Sequence, residues 1–385
     1  MIRESIISIY LFVFKILFIL FKWFPIKNKV SFVISFSENN KYVYNEIKRQ
    51  NMSCEIVFLC KGKCIQDFAI LGEKTIPFET LNIRDMVFSA YHLATSKVIF
   101  IDNYFGFLAS ISLRHEVECI QLWHAAGAIK TFGLMDQSIK SRPTKAKKRF
   151  IQVYQKFSKV VVGSDNMAEI FMRAFGLTEE RILRTGVPRT DFFYNEANHL
   201  KANVEKSKFK GKKVILYAPT FRDGELEHFD LHLNLQLMKE YLSEEYVLLL
   251  RLHPAIHTNL KIDKTYEAFI YNYSSWPNIN ELLLITDVLI TDYSSIPYEF
   301  SHLERPMIFF PYDLEEYQRL RGLWDNYKNL VPGPVVFTTE GIIECLKNYK
   351  EFNMNEIKNF SKQWNMYSKG ISSQNIVNYI KNRLG

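Results

Sequence analysis

The 385-residue chain has no Gly-x-Gly-x-x-Gly fingerprint, no Walker loop and no Asp-x-Asp metal pair. Those absences argue against a dehydrogenase, a kinase and a metal-dependent nucleotide-sugar transferase of the other common fold. Cysteine is sparse: Cys54, Cys60, Cys64, Cys119 and Cys345 are odd in number and follow no metal-ligand spacing. Cys60 and Cys64 could sit one turn apart, but no second Cys or His pair completes a site, so reduced, cytosolic thiols are expected. Repeats and low-complexity tracts are missing, as is any helix-turn-helix, zinc-finger or RNP signature. Apolar and aromatic residues, by contrast, are plentiful: 48% of the chain is hydrophobic against 23% charged, with 31 Phe and 21 Tyr. Over this length, such a composition describes a globular protein with core enough for two domains.

The net charge of +8 is unevenly placed. Between Gln137 and Ser164 there are eight Lys or Arg and no acid, interleaved with Phe150, Ile151, Val153, Tyr154 and Phe157. A basic amphipathic helix of this kind suits an anionic membrane surface; nucleic acid is not expected as a partner, and a plain solvated basic face is the alternative. Membrane contact leads because of the N-terminus. Ser5 to Phe24 is an apolar run broken by Lys15 and Lys22, and ~20 such residues suffice to cross a bilayer. Lys15, however, sits mid-run, where a charge is costly. Ser8, Lys15 and Lys22 recur every seven residues and form one helical stripe. Residues 1–25 therefore read as an amphipathic, monotopic anchor on the cytoplasmic face of the membrane. A cleaved signal peptide is not expected, because no small-residue site follows and Trp23-Phe24-Pro25 leads into a core strand.

Past the anchor, short apolar strands alternate with helices, the pattern of parallel sheets covered on both faces. Strands are expected at 30–36, 55–59, 97–101, 119–123 and 159–163, with helices near 39–50, 83–93, 144–157 and 166–175. Lys201 to Lys213, polar and Lys-rich, reads as a linker. Strands at 214–217, 246–251, 287–291 and 307–310 follow, with helices near 231–243, 278–285, 295–303 and 339–350. Two further helices fill the tail. The expected architecture is α/β, with two Rossmann-like domains, 26–205 and 206–385, facing a cleft, and with the final helices able to pack back on the first domain.

Four clusters sit where expected strands end. In Gln121-Leu-Trp-His-Ala-Ala-Gly-Ala128, His124 leaves a buried strand just before a run of small residues around Gly127 that leaves room for substrate. Histidine is the side chain best suited to take a proton near neutral pH, although a histidine hydrogen-bonded in a turn would look the same. In Tyr217-Ala-Pro-Thr-Phe-Arg-Asp223, Thr220 and Arg222 follow a strand, and the Arg222 fork suits a phosphate; a local Arg222–Asp223 pair is the alternative. Arg251-Leu-His-Pro254 places Arg251 and His253 on one face of a strand end, as an anion site or as a structural pair. Fourth, Thr291-Asp-Tyr-Ser-Ser295 runs from a buried strand through Asp292 to two hydroxyls, Ser294 and Ser295, that open a helix. A helix start carries unpaired N–H groups and attracts anions, though an ordinary N-cap is the plainer reading. Glu299 and Asp313 lie within reach as partners for sugar hydroxyls. Together the clusters imply a ligand rich in phosphate and hydroxyl groups, such as a nucleoside diphosphate.

In Trp123-His124, Tyr217-to-Asp223, Arg251-x-His-Pro254 and Thr291-to-Ser295 the chain resembles the CDP-glycerol glycerophosphotransferase family of teichoic acid synthesis, from about Val30 to Tyr379. The resemblance implies a GT-B arrangement and transfer of glycerol phosphate from CDP-glycerol to an acceptor hydroxyl, with release of CMP. It implies His124 as acceptor-side general base, and Arg251, His253, Ser294 and Ser295 as the holders of the donor pyrophosphate. Ala125-Ala-Gly-Ala128 and Leu183-Arg-Thr-Gly-Val-Pro-Arg-Thr-Asp191 look more like the priming (TagB/TarB-type) branch, which acts on an undecaprenyl-diphosphate-linked disaccharide. Chain elongation, ribitol phosphate transfer or another nucleotide-activated donor in capsule synthesis would use almost the same residues. No cofactor is required by the sequence, CDP-glycerol is the donor substrate, and the sequence leaves divalent-metal dependence undetermined. Other enzymes of teichoic acid synthesis are further candidate partners.

Overall fold

The computed structural model describes residues 2–222, 231–252 and 262–384. The chain divides into two compact units: Met1–Ala125 with Phe132–Asp191 and Tyr367–Gly385, and Ala126–Thr131 with Phe192–Met366.

The first unit carries a seven-stranded sheet. Its strands are β1 (Lys27–Ile34), β2 (Glu55–Cys60), β3 (Lys74–Pro77), β4 (Ser96–Ile101), β5 (Glu118–Gln121), β6 (Lys159–Val161) and β7 (Ile182–Leu183). They lie in the order β3-β2-β1-β4-β5-β6-β7, all parallel. β1 is central, with Val30 registered against Ile56 on one side and Val98 on the other. Because helices cover both faces, the run from Lys29 to Ile34 is buried throughout rather than alternating. The strand order reverses between β1 and β4, and in open α/β sheets ligands gather beyond the carboxyl ends of strands at that point.

The second unit repeats the plan with β8 (Lys213–Ala218), β9 (Tyr246–Leu250), β10 (Ile270–Asn272), β11 (Val288–Thr291) and β12 (Met307–Phe309). The order is β10-β9-β8-β11-β12, again all parallel. Its reversal falls between β8 and β11, where Ala218 pairs with Thr291 and the Thr291 hydroxyl donates to the Ala218 carbonyl at 2.6 Å. Both strands thus end side by side, just ahead of Thr220 and Asp292.

Helix Glu196–Ser207 replaces most of the expected linker, and its N-cap Asn195 accepts from Ala197 N–H. Its one buried residue is Ala202, while Leu200 and Val204, four apart on one face, are 67% and 70% exposed, so its apolar residues do not mark the face that packs. It packs on helix Ile279–Ile285, within the second unit, whose main segment begins at Phe192. The helix expected at 295–303 is α-helical only over Ile296–Phe300, continues as a 3-10 turn over Ser301–Leu303 and stops at Glu304, whose φ is +49°.

Tail helix Ser372–Leu384 belongs to the first unit. Asp191 accepts the N–H groups of Ser372 and Ser373 and the Ser373 hydroxyl at 2.7–2.9 Å, which satisfies donors otherwise orphaned at a helix start. Gly186, at φ +84°, permits the approach: a Cβ there would lie 2.3 Å from Ser372 Oγ and 2.4 Å from the Tyr367 carbonyl.

Helix Ile2–Phe21 also packs on the first unit. Phe14 and Phe18 are buried, Phe14 lies against Phe78 and Phe107, and Phe21 meets Tyr91 edge-on. Its other side exposes Ile6, Ile9, Phe12, Ile16, Ile19 and Leu20. The helix is therefore apolar on two faces, one spent on the core and one turned outward. Of the expected polar stripe, Lys15 is exposed, the Ser8 hydroxyl donates to Glu4 O and the Lys22 ammonium to Ser112 O.

Candidate functional site

In the first unit the centre is His124, just beyond β5. Trp123 before it has φ +58°, a left-handed conformation that costs a non-glycine residue ~1–3 kcal/mol unless neighbours hold it. Here they do. The Trp123 N–H donates to Gln121 Oε1 at 2.9 Å, and its carbonyl accepts from Asn39 Nδ2 at 2.9 Å. The turn lays the His124 ring between Phe36 and Trp123, with centroids 4.2 and 4.4 Å away. Trp123 is itself wedged against Phe132, Phe171 and Phe175.

His124 Nδ1 lies 2.9 Å from the Asp102 carbonyl oxygen. A carbonyl only accepts, so Nδ1 carries the hydrogen and the neutral ring presents Nε2 as its lone pair. Burial is the largest influence on this imidazole and the Arg189 charge adds to it; against the Asp102 bond they bring its pKa down to about 4. The ring is therefore neutral at physiological pH and competent to take a proton.

Asp102 follows β4 directly and is wholly buried. Its carboxylate accepts from the N–H groups of Ser35 and Phe36, the Ser35 hydroxyl and Asn40 Nδ2, all between 2.7 and 3.0 Å. Burial pushes it up to about 6 against the pull of those bonds. Arg189 braces the far side, with Nη1 on the His124 carbonyl at 3.1 Å and on Glu38 at 2.7 Å. Asn39 links the pieces by also accepting the Arg189 N–H at 2.9 Å. Asp102 and Asn39 carry no motif in the sequence, and Arg189 stands there only as part of the segment Leu183–Asp191, with nothing to tie it to His124.

Gly127 serves packing rather than an open substrate space. A Cβ there would fall 2.3 Å from the ring of Tyr298, which is fully buried against Phe360 and Trp364.

In the second unit Arg222, Asp292 and Asp313 come together, but not as expected. Arg222 Nη1 donates to Asp292 Oδ2 at 2.6 Å and to the Thr220 carbonyl. Its Nε and Nη2 grip Asp313 side-on at 3.0 and 2.8 Å. Tyr293, Tyr312 and Tyr317 surround the guanidinium, with centroids 4.8–5.2 Å away. The fork is thus committed to two carboxylates instead of standing open for phosphate. Asp292 Oδ1 accepts the N–H groups of Thr220 and Tyr293, and Asp313 also accepts the Tyr293 hydroxyl. Both acids anchor the turn, and Asp313, expected beside sugar hydroxyls, is engaged by Arg222 and Tyr293. Tyr293 stacks on Tyr317 at 3.7 Å, and the Tyr327 hydroxyl donates to the Asp292 carbonyl.

This scaffold fixes the Ser294–Ser295 turn beyond β11. Both serines are half-buried, and the Ser294 hydroxyl accepts Ile296 N–H at 3.2 Å. The N–H groups of Ser294 and Ser295 and the Ser295 hydroxyl have no hydrogen bond to another described residue. Donors of this kind at a strand's carboxyl end can receive an anion; a five-residue helix adds little dipole. Glu299 is 2% exposed, within the short helix Ile296–Phe300 that follows the turn.

The Arg251 guanidinium reaches the carbonyls of Tyr273 and Ser274, and Leu252 N–H donates to Ser274 Oγ. These contacts brace the segment that follows β10. His253 and Asp223 lie outside the described residues. Among those described, no group of three His, Cys, Asp or Glu could hold a metal ion.

A histidine thus lies beyond one doubly wound parallel sheet, and a turn with uncommitted backbone donors lies beyond another, an arrangement of α/β enzymes. The chain belongs to the CDP-glycerol:poly(glycerophosphate) glycerophosphotransferase family, whose model matches residues 16–382, and it is a CDP-glycerol glycerophosphotransferase. It is 37% identical to the teichoic acid glycerol-phosphate primase of Bacillus subtilis (strain 168), over 99% of each chain. To the teichoic acid poly(ribitol-phosphate) polymerase of Bacillus spizizenii it is 35% identical, over 94% of this chain but 57% of the polymerase. The structure of the wall teichoic acid polymerase TagF is similar with a TM-score of 0.78 at 25% identity, over 100% of this chain and 98% of that one.

Proposed function

We propose that the chain is a primase, which moves one glycerol phosphate from CDP-glycerol to a disaccharide carried on undecaprenyl diphosphate and releases CMP. The 37% identity to a glycerol-phosphate primase, over 99% of each chain, carries this reading.

In the proposed reaction the acceptor hydroxyl attacks the phosphorus that bears glycerol. Its proton passes to Nε2 of His124, which the Asp102 carbonyl has fixed as the neutral tautomer. As the new P–O bond forms, the bond to CMP breaks and CMP leaves with the electron pair. The Ser294 and Ser295 donors hold the donor's diphosphate, and His253 is assigned to the same task by family resemblance. A base of pKa about 4 is weak, which suits a loose phosphoryl-transfer transition state where positioning and electrostatics dominate and the proton leaves late.

The enzyme works, in this reading, at the cytoplasmic face of the membrane as a monotopic protein. The outward apolar face of helix Ile2–Phe21 supports it, because a helix with Phe14 and Phe18 built into the core lies along a surface more readily than it crosses one. Full-length protein in detergent, given CDP-glycerol and the lipid-linked disaccharide, should release CMP and give little turnover with CDP-ribitol or UDP-sugars. Folded protein that makes no product from CDP-glycerol would overturn the proposal.

A further inference from the structure

The first unit contains a groove of about 540 Å3 that the chemistry above does not use. One wall is helix Ile2–Phe21, through Ile6, Ile7, Tyr10 and Leu11, with Phe107 beside it. Facing these are Arg142 and Arg149, at the start and on the body of helix Thr144–Tyr154, with Phe150. The floor is made by Lys61, Glu79 and Tyr104, residues just past the carboxyl ends of β2, β3 and β4, where sheets of this order place ligands. The volume is that of a small-molecule site.

Its lining is amphiphilic in an ordered way. Arg149 reaches Glu4 through two long contacts of 3.2 Å, and Lys61 pairs with Glu79 at 2.5 Å. Arg142 has no carboxylate partner among the described residues; it leans on the Phe150 ring at 5.0 Å and donates to Ser138 Oγ. A cation held by stacking and one neutral hydroxyl keeps donors for an anion. The helix that forms the apolar wall turns Ile9, Phe12 and Ile16 outward, so a hydrocarbon chain can pass from a bilayer to the groove along one element. At the inner end, Tyr104 lies two residues beyond Asp102, whose carbonyl holds His124.

We propose that this groove holds the diphosphate and first isoprenoid units of the lipid-linked acceptor, with Arg142 and Arg149 on the diphosphate and Ile7, Tyr10, Leu11 and Phe107 against the hydrocarbon. The proposal rests on the primase reading for the identity of its occupant. It assigns the basic segment and the N-terminal helix a substrate-binding task in addition to any adhesion to the membrane.

The test binds undecaprenyl diphosphate itself to the full-length protein in neutral detergent micelles, a readout that needs no turnover. Arg142→Glu should raise its Kd about tenfold or more, the size of one charge-assisted contact, and Arg142→Lys should recover most of the loss. Leu11→Gln should raise KM for the undecaprenyl-linked acceptor but not for the same disaccharide diphosphate on a short alkyl chain, with KM for CDP-glycerol unchanged. Equal Kd for wild type and Arg142→Glu, both folded by thermal melt, overturns the proposal. So does an Arg142→Glu protein that loses only its binding to phosphatidylglycerol vesicles, since the groove would then serve bulk lipid. Tight, Arg142-dependent binding without any glycerol phosphate transfer would sink the primase reading and leave the groove standing.

Discussion

Replacing Arg222 by Met separates the two roles this residue could have, anchor of a turn or clamp on phosphate. Its side chain is 12% exposed, and those of Asp292 and Asp313 are 2% and 20% exposed. Removing one partner of a buried ion pair costs ~3–5 kcal/mol, because the carboxylates left behind lose their counter-charge. The partial exposure of Asp313 favours the lower end, while three ring contacts of ~0.5–1 kcal/mol each push the other way. At roughly 2–4 °C per kcal/mol for a domain of this size, the melting temperature of the second unit should fall by about 6–20 °C. Differential scanning calorimetry reads this directly. KM for CDP-glycerol should rise as well, since the Asp292 contacts fix the Ser294–Ser295 turn. A variant that melts within about 2 °C of wild type yet loses donor affinity would refute the anchor and restore the clamp.

His124→Ala should lower kcat by roughly 10²–10⁴-fold, the usual weight of a general base, while donor binding by titration stays near wild type; unchanged turnover would remove His124 from the mechanism. The pH profile of kcat/KM should show no acid limb from this residue until about pH 4, because the ring is already neutral above that; an inflection near 6.5 from the same group would contradict its burial. Stability follows the same sign: a group depressed from 6.5 to about 4 stabilises the fold above 6.5, and that contribution is lost as pH falls through 4. Gly127→Ala should cost ~1–3 kcal/mol by overpacking against Tyr298, and a neutral result in urea melts would mean the ring has room to move. Phe12→Ser, at a position 63% exposed, should leave the melt unchanged but weaken sedimentation with anionic vesicles about tenfold or more, the value of one buried aromatic side chain; full retention would argue against an embedded face.

The central strands were legible because a strand covered on both faces must be apolar throughout, as from Val30 to Ile34 and Tyr246 to Leu250. Those missed, β3, β7 and β10, are edge strands of two to four residues with one neighbour each, too short and too mixed for any periodicity. Helix Glu196–Ser207 buries only Ala202, and a segment so exposed and polar has the composition of a linker. His124 was readable as a chemically apt residue at a strand end. Its support was not, since Asp102, Asn39 and Arg189 meet it only once the strand order is known. Arg222 and Arg251 carry contacts that the sequence does not show. Their residue type and position suited phosphate, but sequence alone does not reveal which acceptors a guanidinium has already found.

The central claim is that this chain primes rather than extends. Mass spectrometry of the lipid-linked acceptor after exhaustive incubation with excess CDP-glycerol tests it most directly. The account predicts a single new species heavier by one glycerol phosphate; a ladder of products would contradict it.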